Sequence, residues 1–114
     1  MQHILDEYIT EEERYHLLSG LHRFLIWVGE KLPEQVEVNG SKVILQDLIW
    51  GCIHKREFTE KERKYFLDVI HFLETKEKYN EEMLRKANLT RDEAKKLYRD
   101  SAALIRAIMD LREC

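Results

Sequence analysis

Thr90-Arg91-Asp92-Glu93 opens the stretch that decides the fold, because the apolar run behind it continues to Arg112. In a T-x-x-E capping box the threonine hydroxyl accepts from the amide three residues on. The glutamate carboxylate accepts in turn from the threonine amide. Asp92 and Glu93 also suit the positive end of a helix dipole. Downstream, Ala94, Leu97, Tyr98, Ala102, Ile105, Ile108 and Met109 recur at helical spacing, and Ala103, Leu104, Ala107 and Leu111 widen the stripe. Arg99, Arg106, Asp110 and Glu113 leave a narrow polar strip. A helix apolar around most of its girth belongs at the centre of a bundle or in a dimer contact.

The same box occurs upstream as Thr10-Glu11-Glu12-Glu13 and Thr59-Glu60-Lys61-Glu62. The first predicts a helix from Glu11 to Leu32, with Leu17, Leu18, Leu21, Phe24, Leu25, Val28 and Leu32 inward and Pro33 as its stop. The second predicts a helix from Glu60 to Lys78, with Phe66, Val69, Ile70 and Leu73 inward. The polar run Glu74 to Lys86 reads as a break there, with Asn80 capping a separate short helix from Glu81 to Ala87. The boxes at Thr10 and Thr59 share an echo, with Arg14, Leu18 and His22 matched by Arg63, Leu67 and His71, which reads as convergence on one cap and stripe.

Between the first two boxes lies Gln35-Val36-Glu37-Val38-Asn39-Gly40-Ser41-Lys42-Val43-Ile44. Asn-Gly between alternating segments is the strongest short-range hairpin signal. A two-residue loop pairs Val38 with Ser41, Glu37 with Lys42 and Val36 with Val43, gathering the valines on one face. An isolated ribbon is marginal in water, so this face must lie on helices. Leu45 to Arg56 then reads as a short helix striped by Leu48, Ile49, Cys52 and Ile53. The expected fold is mainly α: one domain over residues 1–114, a four- to five-helix bundle with one small antiparallel β-hairpin inserted after the first helix.

Composition agrees. The 114 residues include four glycines and one proline, too little punctuation for an all-β sandwich. A net charge of −3 argues against a domain built on nucleic acid, which selects basic surfaces. Cys52 and Cys114 form no C-x-x-C motif, so a reducing, cytoplasmic setting is expected, with Cys52 a small buried hydrophobe. Met1 to Tyr8 carries Asp6 and Glu7 and no leader-like apolar run, and no membrane span is expected.

The run from Leu32 to Trp50, with Leu-Pro-Glu, the Asn-Gly turn and Leu-Gln-Asp-Leu-Ile-Trp, resembles a family of small archaeal proteins of unknown function. So does the tail from Thr90, with Asp-Glu-Ala, Leu-Tyr and Ile-Arg-Ala-Ile-Met-Asp-Leu-Arg. The resemblance covers about half the chain. It implies a cytoplasmic archaeal protein and brings no catalytic or ligand residue with it.

Chemistry has little purchase on this sequence. His3, His16, His22, His54 and His71 lack the i, i+3 or i, i+4 spacing of helical ligand pairs. A metal site would need distant residues such as Cys52, His22 and His71, so no metal and no cofactor is expected. No nucleophile elbow, P-loop or dinucleotide fingerprint is present, and no enzyme is expected. The favoured function is a protein-interaction or structural module, self-associating or bound to a protein partner. Its candidate interface residues are Trp27, Trp50, Leu104 and Leu111, although the two tryptophans also suit a core position at the hairpin–helix junction. The alternative is a helix-turn-helix: Ala87-Asn88-Leu89-Thr90 as the turn, with Arg91, Lys95, Lys96 and Arg99 offered to nucleic acid. An enzyme without a recognisable motif ranks third.

Overall fold

The computed structural model describes residues 8–23, 31–55 and 57–113. Their order is α1 (Glu11–Leu21), β1 (Gln35–Val38), β2 (Ser41–Ile44), α2 (Leu45–His54), α3 (Glu60–Lys86) and α4 (Arg91–Arg112). The mainly helical fold with a hairpin between the first two helices is as the sequence predicts.

All three capping boxes form. Thr10, Thr59 and Thr90 each accept from the amide three residues on at 3.1 Å, and each box glutamate accepts from its threonine amide at 2.9 Å. The hairpin also forms in the predicted register, Val36 opposite Val43 and Glu37 opposite Lys42. Asn39 (φ 53°) and Gly40 (φ 81°) make the turn in the left-handed region that Asn-Gly tolerates. Val36, Val38 and Val43 are buried.

Two helix boundaries differ from expectation. α1 ends at Leu21, where His22 and Arg23 close the last turn with amide bonds to Ser19 and Gly20. Leu32 is not helical, and Phe24 to Glu30 lie outside the described residues. α3 runs unbroken to Lys86, so Asn80 is no cap but an interior residue only 7% exposed. The reason is spacing. Val69, Leu73, Glu77, Asn80 and Leu84 are the buried positions of α3, and they continue one seam through the polar run.

α3 and α4 pack antiparallel as a long helical hairpin with a hydrophobic cluster at each end. One cluster joins Val69 and Leu73 to Leu104, Ala107, Ile108 and Leu111, with the hairpin valines and Leu45 and Ile49 laid on them. The other joins Leu84, Leu89, Ala94 and Ala102 to Leu21 of α1. Glu77, Asn80 and Ser101 are buried polar residues at intermediate positions along the same two helices.

α1 is fixed to the α3–α4 corner by its ends and charges. Ile9 donates its amide to the Leu89 carbonyl at 2.9 Å, and Tyr8 bridges Thr90. The buried Arg14 guanidinium donates to the Leu84 carbonyl at 2.5 Å, answering a carbonyl in the last turn of α3. Asn88 turns the corner without left-handed backbone, since among the described residues only Asn39 and Gly40 have positive φ. Ala87 leaves the helix extended. Among the described residues no helix is long and apolar enough to cross a membrane.

Candidate functional site

α2 follows β2 without a linker, and its inward face is Leu45, Ile49 and Cys52. At about 100° per residue, Trp50 projects well away from that face. It is accordingly 65% exposed, which rules out the core position that was its other reading from the sequence. Ile53, one turn on, is equally open, and neighbours at i, i+3 share a helix face. His54 anchors the ridge: its ring lies 4.4 Å from that of Trp50, and its Nδ1 is 3.1 Å from the Trp50 carbonyl oxygen.

Both flanks of α2 are hollow. A cavity of about 550 Å³ separates Cys52 from Phe66, Ile70 and Leu111. A second, of about 470 Å³, lies over Leu48 and Gly51 beside Tyr65. Phe58 and Phe66, edge to face at 5.2 Å, line both. Leu67 and Tyr65 are exposed at their rims. The second hollow also carries charge of both signs, with Asp47 and Glu62 near Lys55 and Lys61. Lys55 pairs with Glu62 and, together with the Thr59 amide, holds its carboxyl below the usual carboxylate range.

The other sequence-predicted interface residues lie elsewhere. Leu104 and Leu111 are each 3% exposed in the core, because α3, α2 and the hairpin take up the broad apolar surface of α4. Trp27 lies outside the described residues. Cys52 is disulfide-bonded, against the expectation of a reduced thiol; Cys114, the other cysteine, lies outside the described residues.

Arg91, Lys95, Lys96 and Arg99 do come together on the first turns of α4, but two are engaged. Arg91 forks onto Glu13 at 2.8 and 3.2 Å, pulling that carboxyl down to about 2, with the Thr10 amide as the next cause. Lys96 pairs with Asp100 at 2.9 Å. Lys95 and Arg99 are exposed. The lengthwise antiparallel packing of α3 on α4 is that of a helical hairpin, whereas a helix-turn-helix crosses its helices steeply.

Cys52, His22 and His71 are not gathered. His22 instead meets Glu81 at 3.0 Å, linking the end of α1 to α3. Among the described residues no three His, Cys, Asp or Glu side chains converge as metal ligands. The sequence reading missed the buried polar residues Glu77, Asn80 and Ser101, whose only signal was their place in the three-and-four spacing of the core.

Compared with known proteins, residues 9–114 match DUF5788, a family of unknown function. No curated protein and no solved structure matches the chain.

Proposed function

The chain belongs to DUF5788, and from that premise we propose that it is a non-enzymatic interaction module that pairs with a second copy of itself through α2. The observation that carries this reading is Trp50, exposed on a helix whose other face is anchored in the core. Tryptophan is the residue most enriched among interface hot spots, and the hollows beside α2 offer room for a partner's side chains. The mixed charges of the second hollow favour a two-fold partner, since such a contact places each acid within reach of a base from the same surface.

Sedimentation should show a concentration-dependent dimer that Trp50→Ala/Ile53→Ser dissolves without loss of helix content. A strict monomer at millimolar concentration overturns the proposal.

The proposed setting is the cytoplasm of an archaeon. A disulfide at Cys52 suits that setting only in a hyperthermophile, where intracellular disulfides are common. Trapping thiols with an alkylating reagent in intact cells, and finding Cys52 alkylated, would count against the bond there.

A further inference from the structure

A cleft of about 590 Å³ opens between the segment leading into β1 and the middle of the α3–α4 pair. Three separate stretches of chain bring a cation to it: Lys31 before the hairpin, Lys76 on α3 and Arg99 on α4. All three are exposed, and none forms an ion pair. Asn80 also lines the cleft. It is 7% exposed, and its side-chain amide makes no hydrogen bond in the protein. The side chains sealed without a partner among the described residues are Glu77 and Ser101, whereas the Asn80 amide keeps its access to solvent, at the cleft it lines. Leu32 and Leu104 supply an apolar wall.

We propose that this cleft binds a small phosphate monoester, its phosphate held by Lys31, Lys76 and Arg99 with one oxygen accepting from the Asn80 amide. The organic body lies against Leu32 and Leu104. Three converging cations suit a dianion better than a single carboxylate, and the amide adds a neutral donor that needs no counter-charge. Among the described residues lining the cleft Asp100 is the one acid, and Lys96 answers its charge at 2.9 Å. Glu77, one turn before Asn80, is held uncharged at neutral pH by burial and so adds no repulsion. The site is separate from the pairing surface on α2 and stands or falls independently of it.

The test is titration with phenyl phosphate, followed by calorimetry and by amide NMR shifts, with benzoate and inorganic phosphate as comparisons. Phenyl phosphate should bind saturably and move the amides of Lys31, Asn80 and Arg99. Benzoate and inorganic phosphate should each bind about tenfold more weakly or worse, for want of the second charge and of the apolar body respectively. Lys76→Gln and Arg99→Gln sit at exposed positions and should each weaken phenyl phosphate about tenfold while leaving the melting temperature unchanged. Asn80→Leu should fold and lose the site. No saturable binding, shifts confined to other residues, or unchanged affinity in the Lys76→Gln/Arg99→Gln double variant would overturn the assignment. So would tighter binding of a single-stranded oligonucleotide through the same residues, which would make the cleft part of a polyanion surface.

Discussion

Glu77, Asn80 and Ser101 occupy positions where the helix spacing asks for apolar side chains. Reading residue type before position therefore breaks α3 in two, whereas reading position alone keeps it whole. Glu77 is the most consequential of the three. It is 8% exposed, its Oε2 has no partner, and its pKa rises from 4.5 to about 8. Burial is the main cause, followed by the hydrogen bond and charge of Glu81. The folded chain thus keeps a proton that the unfolded chain releases. Its contribution to stability is fully present below about pH 4.5, declines as pH rises, and is gone once pH passes about 8. Glu77→Gln keeps the shape and cannot ionise. Its urea midpoint should vary less with pH across that window and exceed the wild-type value at the alkaline end. An identical pH slope in the two proteins would mean that Glu77 does not hold the proton.

Elements whose determinants are local were legible. The caps depend on residues three apart, and the hairpin register depends on two turn residues and the valines beside them. What was not legible is where each cap points its charge. Glu13 and Glu62 read alike, yet Glu13 binds Arg91 and Glu62 binds Lys55. The echoed arginines part as well, Arg14 buried against Leu84 and Arg63 exposed, because only α1 meets a helix corner there. Consecutive residues of α1 thereby match opposite dipole ends: acidic Glu13 at the start of α4, basic Arg14 at the end of α3. The Glu13 contribution is present above about pH 4.5 and is lost as pH falls through about 2, since its folded pKa is depressed. Arg14→Met keeps the packed stem and removes only the donor. It should cost about 2 kcal/mol in urea unfolding, because a carbonyl at a buried helix end loses a charged partner. A loss below about 0.5 kcal/mol would show that solvent serves that carbonyl equally well.

At the scale of the molecule the fold is long, 58 × 30 × 19 Å, with a radius of gyration of 16.5 Å. A compact chain of this length has about 13 Å. The cause is α3, whose 27 residues span about 40 Å and carry a cluster near either end. Mean composition foretold a bundle, and the length followed from a seam that the polar residues disguised. Leu21 of α1 aside, the two clusters differ in how far apart their members lie along the chain. Leu84, Leu89, Ala94 and Ala102 are near neighbours in sequence, while Val36 and Val43 must reach residues as distant as Leu111. That difference orders events in time. Short loops close at less entropic cost, so the α3–α4 corner should assemble before the hairpin docks. Leu89→Ala should then slow refolding, whereas Val43→Ala should leave refolding nearly unchanged and speed unfolding. Stopped-flow rates with the opposite pattern would place the hairpin in the nucleus and make the corner the late arrival.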